Sequence, residues 1–174
     1  MYKFKTHRKK IIADLITPVS VYQKIRDNFP NSILLESSDY GANDNSYAYI
    51  CFNPTSTFKV NKNTVEIIYP DNQTETSQIN KSNSVINQLN LYKSKFQLNK
   101  SDSKFFENGV IGYMNYDSVQ YFENIEFDSN KNEISIPDIF YSFYSNIIII
   151  NVFNNEAILL HHSLDEKNNL NTIE

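Results

Sequence analysis

Glu36 and Ser37 close the run Ser32-Ile33-Leu34-Leu35-Glu36-Ser37-Ser38. Leu34 and Leu35 are neighbours, so in a strand they point to opposite faces, and both faces ask for cover. A carboxylate and a hydroxyl at the end of such a strand either surface there or have partners. Glu36 can accept from a cation, and Ser37 can donate or accept. On a regular strand the two face opposite ways, so both reach one ligand only if the strand bends.

The other groups that could do chemistry are sparse. His161 and His162 are adjacent, so on a strand they diverge and cannot share a metal. His7 lies in a basic arm with Lys3, Lys5, Arg8, Lys9 and Lys10. Lysines on a solvated edge strand, which they guard against aggregation, account for that arm. Cys51 is the single cysteine and sits in an apolar run, which predicts an inert core thiol and no internal disulfide. No Gly-rich phosphate loop, nucleophile elbow or paired-Cys motif is present. The sequence therefore predicts no catalytic residue and no metal ligand in this chain.

These residues need elements to hold them. Tyr2, Phe4 and Thr6 alternate with Lys3, Lys5 and His7, which predicts a first strand within 2–14. Thr17-Pro18 opens a helix that carries Tyr22, Ile25 and Phe29 and ends at Pro30. The strand holding Leu35 and Glu36 follows, then a polar loop over 39–46. Tyr47 to Phe52 is apolar on both sides, a central strand closed by Asn53-Pro54. A hairpin is predicted from Thr57 to Tyr69 with its turn at Asn61-Lys62-Asn63. Residues 70–80 are expected to be a mobile polar segment.

A second helix spans Ser84 to Phe96, with Val85, Ile86, Leu89, Tyr92 and Phe96 as its stripe. Residues 97–108 read as a polar connector. Gly109 to Asp117 is a strand holding two of the chain's 3 glycines, which implies a bend or a close approach. Asp117 is placed to cap the turn that follows, and Tyr113 and Tyr116 to bury their rings. Asp138 to Phe153 and Glu156 to His162 form a hairpin around Asn154-Asn155. Strands arriving in hairpins, with two or three packed helices and no βαβ alternation, predict an α+β fold of mainly antiparallel, sandwich-like sheet. Residues 1–164 read as one domain and 165–174 as a truncated connector or tail.

The 174 residues suffice for a real core. A 40% hydrophobic and 14% aromatic content is that of a globular chain. The net charge of −4 gives no footprint for nucleic acid. Ile147 to Ile150 is too short to span a bilayer, and no run of signal-peptide length opens the chain. A cytoplasmic location is the expectation, with no membrane or nucleic-acid partner.

Several segments together carry a resemblance: Ala13-Asp14-Leu15-Ile16-Thr17-Pro18-Val19, then Leu34-Leu35-Glu36-Ser37, then Tyr47-Ala48-Tyr49-Ile50. Gly112-Tyr113-Met114-Asn115-Tyr116-Asp117, the trailing Phe122-Glu123, and Ile136-Pro137-Asp138 follow in order. The set resembles the N-terminal region of anthranilate synthase component I, from about Ile12 to Leu160. The close relative aminodeoxychorismate synthase component I shares much of it. A free-standing amino-acid-binding module is the alternative from another class.

The resemblance implies a tryptophan-binding site for feedback inhibition on Leu35, Glu36 and Ser37, with Asn45 or Ser46 opposite. Ser37 would make the side-chain contact, and Glu36 a backbone or electrostatic one. Many members of the family have a basic residue where this chain has Asn45-Ser46, so a ligand carboxylate would meet an amide or hydroxyl without charge assistance. The resemblance also implies that the chorismate-binding domain, with its acid, base and Mg2+ ligands, lies outside this chain. A glutamine amidotransferase subunit would be the partner that supplies ammonia. No cofactor is expected in the chain itself.

Overall fold

A computed structural model of the chain describes residues 1–36, 46–98, 103, 105–125 and 136–165. Its strands are β1 (Tyr2–Ile12), β2 (Ile33–Glu36), β3 (Tyr47–Asn61), β4 (Thr64–Ile68), β5 (Thr74–Gln78), β6 (Phe96–Gln97), β7 (Val110–Met114), β8 (Ile139–Asn151) and β9 (Glu156–Leu164). The helices are α1 (Pro18–Arg26), α2 (Val85–Ser94) and a 3-10 turn over Tyr116–Tyr121. The fold is α+β and its strand pairs are antiparallel, except that β1 meets β6 in parallel. Two compact units divide the chain: Met1–Pro54, Phe96–Gly109 and Tyr144–Glu174 form unit 1, and Thr55–Lys95 with Val110–Phe143 form unit 2.

In unit 1, β1 pairs with β9 from Phe4↔Leu164 to Ile12↔Glu156, and β9 pairs with β8 from His161↔Asn146 to Glu156↔Asn151. The β8–β9 turn takes Val152 to Asn155, with Asn155 at φ 53°, so the positive φ expected of the Asn pair falls on its second member. Asn151 Oδ1 accepts from the Asn154 N–H at 3.0 Å and fixes that turn. Helix α1 opens on Thr17, whose Oγ1 accepts from the Ser20 N–H at 3.2 Å while Ser20 Oγ accepts from the Thr17 N–H at 3.2 Å. This reciprocal cap satisfies two donors that a helix start leaves unpaired. The helix ends at Arg26, before Phe29 and Pro30, and Asn31 at φ 59° turns the chain into β2.

Val21, Tyr22 and Ile25 pack against Ala48, Ile50, Ile150 and Ala157, all buried. Each fully buried Ile contributes about 1.5–3 kcal/mol. Two expectations fail on these strands. Leu35 is 42% exposed, so β2 is covered on only one side of that position. Asn53-Pro54 does not close its strand, because β3 runs unbroken to Asn61. Asn53 absorbs the irregularity at φ 59°, its amide donates to Ser145 Oγ at 2.9 Å, and Ser145 Oγ donates to the Asn53 carbonyl at 3.0 Å.

In unit 2, β3 and β4 form a hairpin whose turn residues Lys62 and Asn63 both have positive φ, 47° and 64°. Such paired positive angles match the twist of two antiparallel strands. The 70–80 segment contains β5, paired with β4 from Ile68↔Thr74 to Thr64↔Gln78, where the sequence predicts a mobile loop. Its Ser and Thr side chains hid a strand whose cross-strand neighbours, not its own apolar content, hold it.

Ser84 caps α2 by accepting from the Asn87 N–H at 3.3 Å. The buried stripe is Val85, Gln88 and Tyr92, while Ile86 points outward at 52% exposure. Gln88 replaces a predicted apolar position because Ser77 donates to its carbonyl and its amide donates to the Asn83 carbonyl. The Phe58 and Tyr69 rings each pack at a tilt on the Tyr92 ring, and the Tyr92 hydroxyl donates to Ser56 Oγ at 2.9 Å.

Gly112 on β7 faces Tyr141 of β8, and a Cβ there would lie 1.8 Å from the Phe140 carbonyl oxygen. That is the close approach the glycine implies. Asn115, not Asp117, caps the 3-10 turn, accepting from the Ser118 N–H at 2.8 Å. Asn115 stands at the extended N-cap position, whereas Asp117 is already inside the first turn. Tyr116 is 84% exposed rather than buried.

Candidate functional site

The β2–β3 pair sets the geometry of the predicted site. Leu34 lies opposite Ile50, Leu35 opposite Tyr49 and Glu36 opposite Ala48. Residues opposite one another share a face, so Glu36 stands on the side of Ala48 and Ile50, and Leu35 on the side of Tyr49. Glu36 is exposed and Ser46, half-buried, precedes β3 by one residue. The pairing therefore brings Leu35, Glu36 and Ser46 to one end of two strands. Ser37 and Asn45 lie outside the described residues. Glu36 and Leu35 diverge as strand alternation requires, so no single face presents both.

On the Leu35 face the sheet is aromatic. Tyr47 and Tyr49 have ring centroids 6.5 Å apart. Phe105 packs on Tyr47 at 5.5 Å and Phe106 meets Tyr49 edge-on at 6.4 Å. The Phe106 N–H donates to the Tyr49 hydroxyl oxygen at 3.3 Å. Burial pushes the Tyr49 pKa up, partly countered by that hydrogen bond.

The segment around Phe105 is tied to β1 and β9. Arg8 Nη1 lies 3.0 Å from Glu107 Oε1, and the carboxylate is 8% exposed. That oxygen has no aligned hydrogen bond, so the guanidinium charge is its compensation. The Arg8 guanidinium also sits 5.2 Å from the Phe105 ring centroid. His162 Nε2 lies 3.1 Å from the Glu107 carbonyl oxygen, an acceptor only, so Nε2 carries the proton. Nδ1 then accepts from the Thr6 hydroxyl at 2.9 Å. Burial lowers the His162 pKa most, the hydrogen bond to Glu107 opposes it, and the charge of the neighbouring His161 lowers it further by less.

Sequence reading missed this constellation. Phe105, Phe106 and Glu107 lie in a stretch read as a polar connector, and Arg8 in a basic arm read as solvent-facing. The available signal was the Phe105-Phe106-Glu107 triplet, too apolar for a connector. Burial pushes the Cys51 thiol up to about 12, in keeping with an inert core residue. Among the described residues, no group of three or more His, Cys, Asp or Glu side chains could hold a metal ion. No helix among them is long and apolar enough to cross a membrane.

No protein-family model matches the chain. Among curated proteins, it is 27% identical to anthranilate synthase component 1 of Pseudomonas putida over 152 residues, covering 86% of this chain and 29% of that protein. It is 28% identical to the Lactococcus lactis protein of the same name over 148 residues, covering 81% of this chain and 29% of the relative. The Thermus thermophilus protein gives 26% over 163 residues, 92% of this chain and 32% of that one. Among solved structures, anthranilate synthase component I from Streptococcus pneumoniae TIGR4 superposes with a TM-score of 0.52 at 17% identity, over 91% of this chain and 32% of that chain. The chain spans less than a third of the length of these relatives. In sequence and in fold, this chain is similar to a part of anthranilate synthase component I.

Proposed function

We propose that the chain is the N-terminal, tryptophan-sensing region of an anthranilate synthase component I. The observation that carries this is coverage: 81% to 92% of the chain aligns with proteins of that one name, over less than a third of their length. In this reading Leu35, Glu36, Ser37, Asn45 and Ser46 form the chain's share of the effector site. A zwitterionic amino acid needs acceptors for its ammonium and donors for its carboxylate. Glu36 supplies negative charge for the first, and Ser37, Asn45 and Ser46 supply donors for the second.

The chemistry belongs to the remainder of such an enzyme. That part would bind chorismate and Mg2+, supply the acid and base, and release anthranilate and pyruvate. Ammonia would come from a glutamine amidotransferase subunit. This chain's own residues would contribute regulation and a folded support.

The test is co-expression of the chain with a relative's component I that lacks the matching third. The reading expects magnesium-dependent anthranilate formation that tryptophan inhibits. Ser37→Ala should raise the tryptophan needed for half-inhibition about threefold to tenfold, the effect of losing one ligand hydrogen bond. Uninhibited turnover should stay nearly constant. Unchanged inhibition with reduced turnover would make Ser37 a structural residue.

A further inference from the structure

Unit 1 contains a half-open cavity of about 170 Å³ on the face that carries the Tyr47 ring. We propose that this cavity binds a monocyclic aromatic carboxylate. The inference does not depend on the function proposed above.

The lining has the required parts. Ile149 and Ile158, both buried, form an apolar floor. Tyr47 and Phe105 form aromatic walls, tilted 50° to each other. Tilted rings present an edge and a face to a third ring placed beside them. The volume fits one ring: an apolar cavity of about 150 Å³ in another protein binds benzene.

The rim selects the charge. Arg8 and Lys10 line it together with Asn151, Asn154 and Glu156. A guanidinium carries five N–H donors and an ammonium three, and Arg8 meets Glu107 through Nη1 while Lys10 meets Glu156, so both keep donors to spare. A ligand rich in acceptors completes this set. Glu107 engages Arg8 through Nη1 and holds the guanidinium over Phe105. Lys10 pairs with Glu156 at 2.6 Å, yet both side chains are exposed by about half, 58% and 41%. Exposed pairs of this kind exchange partners readily, so Lys10 can turn to a ligand carboxylate.

The β1–β9 and β8–β9 registers make the arrangement a consequence of the fold. Lys10 lies opposite Ile158, and Ile158 opposite Ile149, so a cation and two floor residues share one face. The same alternation places Arg8 two residues from Lys10 on that face.

The experiment is a titration of the full chain with benzoate, followed by the methyl resonances of Ile149 and Ile158. Benzamide is the neutral isostere. The proposal expects both methyl groups to shift with benzoate, about tenfold weaker binding of benzamide, and loss of that discrimination in Lys10→Gln. Lys10 is exposed, so this variant keeps its fold. The proposal is overturned by absent shifts, by equal binding of benzoate and benzamide, or by unaltered discrimination in Lys10→Gln.

Discussion

Arg8 and Glu107 form an ion pair at 3.0 Å in which the carboxylate is buried and the guanidinium half-exposed. The pair ties β1 to the segment that carries Phe105 and Phe106, and so to the aromatic face beside Leu35. Removing the cation leaves a buried charge that water does not reach. Arg8→Ala should therefore cost about 3 kcal/mol in urea unfolding. The double change Arg8→Met with Glu107→Leu should recover most of that loss, because two apolar groups leave no charge to compensate. A double variant as unstable as Arg8→Ala would show that the cost lies in packing instead.

His162 makes stability depend on pH. It is 2% exposed, and its pKa is lowered chiefly by burial. A lowered pKa means that the unfolded chain takes up the proton first. The contribution is fully present above the ordinary histidine pKa of about 6.5 and is lost as pH falls through the lower folded value. Melting temperature should drop between pH 7 and pH 5 (approximate limits set by that pKa), and His162→Gln should flatten the drop. An unchanged drop in His162→Gln would assign the pH dependence to other groups.

Gly112 sits where no side chain fits. Gly112→Ala places a Cβ against the Phe140 carbonyl oxygen, a backbone atom that cannot swing away. The expected loss is about 3 kcal/mol, the upper end for overpacking. Thermal unfolding measures it, and a loss under about 1 kcal/mol would mean that β7 shifts freely along β8.

Tyr92 closes a buried relay in unit 2. Its hydroxyl donates to Ser56, and Ser56 donates to the Ile68 carbonyl at 2.6 Å. Tyr92→Phe removes the first donor but keeps the ring. A loss of about 0.5–1.5 kcal/mol is expected by chemical denaturation. No loss would assign the whole value of Tyr92 to its ring.

The elements most legible in the sequence were those with local signals. Thr17-Pro18 marks the start of α1 because capping and proline geometry are decided within one turn. Gly112 marks a close approach because no other residue tolerates one there. Elements decided by distant neighbours were harder to read. β5 has no apolar face of its own and exists because β4 offers it a ladder. Asn53-Pro54 looks like a stop, yet Ser145, 92 residues away, bonds both the Asn53 amide and its carbonyl. At the candidate site, the strand ending at Glu36 was readable from its composition. The Arg8–Glu107–His162 constellation was not, since its members come from three distant segments.

The most direct test of tryptophan sensing is a titration of the full chain with L-tryptophan, followed by backbone amide resonances. In the proposed function part of the effector site belongs to the remainder of the enzyme, so binding should be weak, on the order of millimolar. The account predicts shifts concentrated at Leu35, Glu36, Ser46 and Ala48, with Ser37→Ala weakening them and L-alanine producing none. Shifts scattered over the surface, or none at millimolar tryptophan, would contradict it.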